Sequence, residues 1–114
     1  GKVLLIESQG QWLWEQRPNS GLWGGLWSLP IFESEAELQQ ICERLKLVSN
    51  VESVQISHSF THFTWILTAH IIHVEKDQAE YLQAELGGEW LTPQKATQMG
   101  IPTAMKKLIS AIKI

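Results

Sequence analysis

The stretch that decides the fold is residues 17–30, RPNSGLWGGLWSLP, together with the helix-start signal SEAE at residues 34–37. Adjacent glycines mark a turn, and a proline ends a short strand because it cannot donate to a sheet ladder. Ser34 followed by Glu37 is a capping-box pattern, which predicts a helix that begins near Glu35. This order of turn, short strand and capped helix indicates a β-sheet with a helix packed on it.

Working outward, the apolar pattern predicts strands at residues 2–7, 12–17, 26–29, 51–56, 63–74 and 89–91. After the helix near Glu35, whose buried stripe holds Leu38, Ile41, Cys42 and Leu45, further helices are expected at residues 78–86, after the Thr92-Pro93 cap, and at 102–112. No repeat or linker divides residues 1–114, so we predict a single α+β domain, a mixed β-sheet flanked by helices. Gly1 is expected to be a cloning residue, and the abrupt start in a strand predicts a domain excised from a longer protein.

Composition limits the possible classes of protein. The chain has 114 residues, 44% of them apolar, and a formal net charge of −3. This is enough for one core, and no run is apolar enough to span a bilayer, so no membrane partner is expected. One cysteine excludes a disulfide framework and a cysteine-built zinc site, and it suits a reducing, cytoplasmic compartment.

The charges are unevenly distributed. Residues 53–74 contain no Asp, Glu, Lys or Arg but all four histidines. The only charged side chains of residues 90–114 are lysines. Acidic residues are concentrated at 33–43 and 75–89. A free-standing nucleic-acid binder is usually basic, so any role with DNA must be local or shared. The lysine-rich end either faces phosphate or is ordinary solvated surface, and the pattern alone leaves both open.

Catalytic and metal-binding side chains are sparse. Cys42 lies on the predicted buried stripe, where a cysteine acts as a small apolar residue, and there is no G-x-S-x-G motif. His70 and His73 are three residues apart and should face opposite sides of a strand, and His58 and His62 share a face only if the bend between them is straight. We therefore expect no catalytic nucleophile and no metal site in this chain.

The Gly24-Gly25 turn before a helix resembles the entry to a Nudix box, whose helical carboxylates hold Mg²⁺ against a diphosphate. Counting from Gly25, the family's first Glu falls on Ile31, its Arg-Glu pair on residues 39–40 (both Gln), and its Glu-Glu pair on residues 43–44. Only Glu43 is retained. The spacing favours a Nudix-like fold without the hydrolase activity.

A more specific resemblance combines two stretches, GLWGGLW at residues 21–27 and HSFTHF at residues 58–63, with Arg17-Pro18 before the first and Pro30 after it. Together they resemble the C-terminal domain of the MutY-type adenine DNA glycosylases, over nearly the whole chain. The resemblance implies that the chain recognises 8-oxoguanine opposite adenine in DNA. It also implies that adenine excision and a [4Fe–4S] cluster belong to a catalytic N-terminal domain outside this chain.

That family's Phe-Ser-His recognition turn corresponds to Phe60-Thr61-His62, with Ser59 and His58 as further candidate DNA contacts. 8-Oxoguanine has an N7–H donor where guanine has a bare acceptor, so the Thr61 hydroxyl is suited to accept from it. Phe60 is suited to stack or wedge beside the lesion. The alternative is that Phe60 and Phe63 are core residues of a hairpin and the histidines cap its strands.

Arg17 and Trp23 are expected to be exposed, at an interdomain face or, for Arg17, at a phosphate; the other tryptophans are expected in the core. We therefore predict a monomeric, non-catalytic recognition domain of a bacterial, nucleoid-associated glycosylase, with DNA containing 8-oxoguanine:adenine mispairs and the N-terminal catalytic domain as partners and no cofactor of its own. Two alternatives remain: a Nudix-type hydrolase of oxidised nucleotides, and a protein-interaction domain that uses the Trp-rich residues 21–27.

Overall fold

The central strand of the sheet is β1 (Lys2–Ser8), whose apolar residues 3–6 are fully buried in the computed structural model. The structure describes residues 1–47 and 52–112. β1 pairs in parallel with β6 (Thr64–His73) along one edge. Along its other edge it pairs antiparallel with β2 (Gln11–Gln16) and with the short β4 (Ile31–Phe32). A strand buried on both faces needs a continuous apolar run, and residues 3–6 supply it.

The remaining elements extend the sheet and cover it. β2 also pairs with β3 (Trp27–Ser28) and with β7 (Glu89–Leu91), and β6 pairs with β5 (Glu52–Ser59), which forms an edge of the sheet. The helices are α1 (Glu35–Arg44), α2 (Lys76–Leu86), α3 (Pro93–Met99) and α4 (Thr103–Ile112). The predicted mixed sheet with helices, of the α+β class, is confirmed.

The helices form two layers, one on each face of the sheet. On one face, which we call the α1–α2 face, Leu38 and Leu82 pack with Leu4 and Ile6 of β1. On the opposite α3–α4 face, the apolar side chains of the other two helices pack with alternate residues of β1 and β6: Ala96, Met105, Leu108, Val3, Leu5, Leu67 and Ala69. Alternation along the strands thus divides the apolar residues between two cores.

Local signals in the sequence predicted most of the boundaries of the helices and strands. Ser34 Oγ accepts from the Glu37 N–H at 3.2 Å, so α1 begins at Glu35 as predicted, although the Glu37 carboxylate accepts from the Glu33 N–H and not from that of Ser34. Thr92 caps α3 as predicted. The boundaries of β1, β2 and α4 differ from those predicted by one residue, and α2 begins two residues earlier, where Glu75 supplies its capping box.

Three predictions need correction. β4 follows Pro30 and was not predicted, because two residues carry too little pattern to be recognised. β5 continues to Ser59, so His58 and Ser59 lie in a strand and not in a bend. Cys42 is only half-buried, although Leu38 and Leu45 of the same predicted stripe are buried. The start of the β5 prediction, Val51, lies outside the described residues.

Candidate nucleic-acid interface

The candidate site is the turn between β5 and β6, residues 60–63, which we call the 60–63 turn. The strands pair in register up to Ser59 opposite Thr64. Beyond that pair, the Phe60 N–H donates to the Phe63 carbonyl at 2.7 Å and closes the turn. Thr61 and His62 therefore occupy the tip, and both are exposed. Within the described residues neither side chain has a hydrogen-bond partner, so both are available to an outside molecule.

An aromatic cluster forms the base of the turn. The rings of Phe60 and Phe63 stack with centroids 4.6 Å apart and planes 19° apart, and the His58 ring meets Phe60 edge-on at 4.9 Å. Phe63 is 61% exposed and Phe60 38% exposed. The alternative that both phenylalanines are hairpin core residues is therefore wrong. Exposed apolar groups of this size, held in a fixed arrangement, are typical of interaction sites.

Trp65 and Trp23 connect this cluster to the loop between β2 and β3, residues 17–26, which we call the glycine-rich loop. Trp65 lies opposite His58 in the hairpin register, and its ring is 6.3 Å from that of Phe60. On its other side it packs against Trp23, with ring centroids 5.6 Å apart. Trp23 has a positive φ of 53°, a conformation that is uncommon outside glycine. The surrounding loop therefore holds the Trp23 ring in contact with Trp65.

The loop owes its shape to the two glycines and to backbone hydrogen bonds. The Arg17 N–H donates to the Leu26 carbonyl at 2.8 Å, and the Gly25 N–H reaches the Arg17 carbonyl at 3.2 Å. A Cβ on Gly24 would collide with the Asn19 carbonyl oxygen, and Gly25 has a φ of +77°. Only glycine meets both requirements without strain. The motif that indicated the fold thus also builds the support for Trp23.

The expectation of exposed Arg17 and Trp23 is corrected. Both are half-buried, and Arg17 Nη1 lies 3.3 Å from Glu15 Oε1. The exposed apolar residues of this loop are instead Leu22 and Leu26. The prediction that the other tryptophans are core residues holds fully for Trp12 and Trp14, which are buried, and in part for Trp27, Trp65 and Trp90, which are half-buried and pack on the cores.

His58 and Ser59, the remaining candidate contacts, differ in accessibility. Ser59 is exposed, and its hydroxyl lies 3.4 Å from that of Thr64. His58 is half-buried, and its Nδ1 is enclosed without a partner in the described part of the chain. His58 therefore supports the Phe60 ring, whereas Ser59 faces solvent beside the tip.

Helix α1 occupies the position of the Nudix helix but does not carry its ligands. Gln39, Gln40 and Glu43 are exposed, and Arg44 pairs with Glu85 of α2 at 3.2 Å. Across residues 1–47 and 52–112, no group of three or more histidine, cysteine, aspartate or glutamate side chains is arranged to hold a metal ion. Mg²⁺ sites of this type need several oxygen ligands together, and one carboxylate does not provide them.

A cavity of about 430 Å³ lies between the glycine-rich loop, β4 and β6, with Arg17, Leu22, Phe32, Glu33 and Trp65 in its walls. Its volume is within the range of small-molecule sites. Glu33 is the one carboxylate among its lining residues. The cavity therefore has no set of carboxylates for a metal-bound diphosphate.

Cys42 does not have the properties of a nucleophile. Burial and, to a lesser degree, the nearby Glu35 carboxylate raise the pKa of its thiol. A thiol with a raised pKa is mostly protonated at neutral pH and reacts slowly.

One polar cluster was not predicted from the sequence. His73 Nδ1 lies 2.7 Å from Glu7 Oε1, and His73 Nε2 lies 3.8 Å from Glu52. Burial opposes ionisation of Glu7, but hydrogen bonds from His73 and from the Gly10 N–H outweigh it, so the pKa of Glu7 lies below its usual value. Glu7 and His73 are 66 residues apart, and only the parallel register of β1 and β6 places them together. His70 lies on the opposite face of β6, near Glu35.

Comparison with known proteins agrees with this geometry. The NUDIX domain family matches residues 2–111. Mouse adenine DNA glycosylase is 33% identical over an alignment of 104 residues, and the match covers 82% of this chain and 20% of that protein. The helices of the described part of the chain are all too short or too polar to cross a membrane.

Solved structures show the same architecture. The C-terminal domain of mouse MUTYH, in a complex with human PCNA, matches with a TM-score of 0.65 and 26% identity over 98% of this chain and 85% of that one. Shewanella oneidensis NrtR matches with a TM-score of 0.62 and 18% identity over 96% of this chain and 58% of that one, which shows the fold alone.

The fold and the family match together define a NUDIX domain, and the chain belongs to that family. Within it, the chain is similar to the C-terminal domain of the adenine DNA glycosylases, and it spans about a fifth of the length of the mouse enzyme. The family resemblance inferred from residues 21–27 and 58–63 is confirmed.

Proposed function

We propose that this chain is a DNA-repair domain that recognises 8-oxoguanine opposite adenine, as a non-catalytic C-terminal part of an adenine DNA glycosylase. The observation that carries the proposal is the 60–63 turn, which presents two stacked phenylalanines and the free Thr61 and His62 side chains at the end of a hairpin with no Asp, Glu, Lys or Arg from residue 53 to residue 73. The similarity to mouse adenine DNA glycosylase and to the MUTYH C-terminal domain supports it.

The chemistry of the lesion fits the groups at the tip. The Thr61 hydroxyl accepts a hydrogen bond from the N7–H of 8-oxoguanine, whereas the N7 of guanine has no hydrogen and can only accept a hydrogen bond from that hydroxyl. The imidazole of His62 can donate to O8 or to a neighbouring phosphate. Phe60 and Phe63 provide an apolar surface against which a base or a distorted step can pack. The domain therefore discriminates by hydrogen bonding and orients by stacking.

Adenine excision is assigned to the part of the longer protein outside this chain. Cys42 is not activated, and the family's carboxylate set is missing from α1. This chain corresponds to only 20% of the mouse enzyme, which leaves ample sequence for a catalytic domain. We place the [4Fe–4S] cluster of the family there too, because four thiolates are needed and this chain has one cysteine.

The test is an NMR titration of the ¹⁵N-labelled chain at low salt with two short duplexes, one carrying 8-oxoguanine opposite adenine and one carrying guanine opposite adenine. We expect lesion-dependent shifts concentrated at residues 57–63. Thr61→Ala should reduce the affinity ratio between the two duplexes by about tenfold, since one good polar contact contributes about 1–3 kcal/mol of discrimination. Phe60→Ala should also reduce the ratio, because the ring orients the lesion for that contact.

Matched controls are Ser53→Ala, which removes an exposed hydroxyl at the other end of β5, and Tyr81→Ala, which removes an exposed aromatic ring on α2. Both should leave the affinity ratio unchanged. Equal shifts with both duplexes, or an affinity ratio that neither Thr61→Ala nor Phe60→Ala alters, would refute lesion recognition by this turn.

A second candidate function is protein binding, favoured by the exposed Leu22 and Leu26 in the glycine-rich loop. The similar mouse domain was solved in a complex with human PCNA. Calorimetric titration with human PCNA checks this candidate directly. Binding that is lost in Leu22→Ser/Leu26→Ser and retained in Phe63→Ser would favour the protein-binding function. An absence of measurable binding would exclude PCNA as the partner.

A third function, Nudix hydrolysis of oxidised nucleotides, has no comparable support, because Glu43 is the only family carboxylate retained on α1. Mg²⁺-dependent release of pyrophosphate from 8-oxo-dGTP, abolished by Glu43→Gln, is the result that would favour it.

A further inference from the structure

The two helix layers carry opposite charges. α1 and α2 together hold six acidic and two basic side chains. α3 and α4 hold three lysines, Lys95, Lys106 and Lys107, and no acidic residue. The sheet therefore separates a negative side of the molecule from a positive side. Lys113 continues the same run of sequence but lies outside the described residues.

Within the described residues, the three lysines are also free of internal ion pairs. Lys2, Arg17 and Arg44 each have a carboxylate within 3.6 Å. In the described ranges, by contrast, no carboxylate lies within 4.0 Å of the ammonium group of Lys95, Lys106 or Lys107, and all three residues are exposed. Their charge is therefore available to an external anion.

The positive layer and the aromatic cluster lie on the same face of the sheet. α4 packs directly against β5, the first strand of the hairpin that carries the 60–63 turn. Met105 and Leu108 of α4 belong to the same apolar cluster as Leu67, and both Trp23 and Trp65 pack against that cluster. An extended anion in contact with the Phe60 side of the turn thus approaches the α3–α4 face and not the acidic α1–α2 face.

We propose that Lys95, Lys106 and Lys107 form a phosphate-binding surface that holds the backbone of duplex DNA while the 60–63 turn contacts the base. This proposal rests on the proposed function, and it adds the part of the DNA that the helices bind and the orientation in which the duplex docks. The negative α1–α2 face repels phosphate, so only one side of the domain faces the duplex. Lysine contacts to phosphate carry no sequence information, so they should strengthen binding to damaged and undamaged DNA equally.

The experiment measures DNA affinity by fluorescence anisotropy between about 50 and 200 mM salt, with the two duplexes already described. Each phosphate contact contributes about 0.9 to the slope of log affinity against log salt concentration. We expect Lys106→Gln/Lys107→Gln to lower the magnitude of that slope by about 1 to 2. It should weaken binding to both duplexes by the same factor and leave their affinity ratio unchanged.

The matched control is Lys46→Gln/Lys76→Gln, which removes the same number of charges from exposed positions at the ends of α1 and α2. Its slope should equal that of the unmodified chain. If the two double variants change the slope equally, net charge alone explains the effect and the proposal is overturned. If Lys106→Gln/Lys107→Gln leaves the slope unchanged but abolishes binding of poly-L-glutamate, the surface binds acidic protein instead, which also overturns it.

The outcomes separate this proposal from the proposed function. A lowered slope together with equal affinity for both duplexes supports the phosphate surface and refutes lesion recognition. An unchanged slope together with a lesion preference that depends on Thr61 refutes the phosphate surface and supports lesion recognition. An absence of binding to either duplex refutes both.

Discussion

Helix α1 packs on one face of the sheet and the 60–63 turn joins strands β5 and β6, and the two regions differ in which side chains they expose. α1 is anchored by Leu38, which is 3% exposed, while its outward positions hold Gln39, Gln40 and Glu43 without a ligand set. In the 60–63 turn, Phe63 is 61% exposed and still stacked in a fixed geometry.

The difference concerns which side chains each region presents to solvent. In α1 the residues that matter for packing are present and those that matter for metal chemistry are replaced. In the turn, apolar surface that folding would normally bury is kept exposed, which costs free energy unless a partner covers it. One fold can therefore lack the metal ligands of a family on one helix and present an exposed apolar cluster at a different place on the same sheet.

The largest expected effect is on the packing of α1. Leu38→Ala should lower the free energy of unfolding by about 2–4 kcal/mol, because it empties a buried position between α1 and β1. Urea denaturation measures this. Gln40→Ala, on the exposed side of the same helix, is the control and should change stability by less than about 0.5 kcal/mol. If Leu38→Ala left the free energy of unfolding unchanged, α1 would not be held by packing, and the contrast between α1 and the 60–63 turn would not hold.

A smaller effect is expected in the turn. A double-mutant cycle with Phe60→Leu and Phe63→Leu should give a coupling free energy of about 0.5–1.5 kcal/mol, the range for stacked aromatic pairs. Denaturant unfolding of the four proteins in the cycle provides the measurement. A coupling of zero would mean that the rings are not held together in solution, and the turn would then be no more ordered than an ordinary loop.

The pH dependence of stability tests a contact distant from both regions. The pKa of Glu7 is lowered in the folded state, so its stabilisation is present above the unfolded value of about 4.5 and is lost as pH falls through the folded value. Glu7→Gln should therefore destabilise the chain by about 0.5–1 kcal/mol at neutral pH and by much less near pH 3.

Thermal unfolding of Glu7→Gln and the unmodified chain at several pH values checks this. Glu80→Gln, on an exposed position of α2, serves as the control and should show no such convergence at low pH. A constant difference between the Glu7→Gln and unmodified proteins across that range would contradict the role given to the His73 contact.

The smallest effect is expected from the retained family carboxylate. Glu43→Gln should change stability by less than about 0.5 kcal/mol, and added Mg²⁺ should shift the melting temperature of neither protein, because a ligand that does not bind the native state does not stabilise it. Calorimetric melting curves with and without Mg²⁺ give the answer. A Mg²⁺-dependent increase that disappears in Glu43→Gln would show a metal site on α1 and would remove the contrast with the turn.

Much of the fold was predictable because its signals are local. The apolar run of residues 3–6, the cap at Ser34 and the Thr92-Pro93 start each depend on a few consecutive residues, and the structure has an element at every one of these places. The short β4 was missed, and β5 was predicted too short, because its end lies in the polar SHS segment at residues 57–59, where alternation of apolar residues stops.

The candidate site was predictable in part. Residues 60–62 were identified through their resemblance to a family, and the structure adds that Thr61 and His62 are exposed at the tip. Arg17 and Trp23 were expected to be exposed, and they are half-buried instead. No local pattern indicates that Trp23 packs against Trp65 or that Glu7 meets His73, since each pair joins strands or loops that are distant in the chain.

The sequence by itself determined the α+β class, most of the elements, the family, and the loss of the Nudix carboxylates, because propensity, alternation and motif spacing act over short distances. Only the tertiary structure decided that the phenylalanines of the turn stay exposed and that the glycine-rich loop supports them. It also decided that the acidic and basic helices cover opposite faces of the sheet. These properties depend on strand order and on the parallel pairing of β1 with β6, which bring distant residues together and which no local signal encodes.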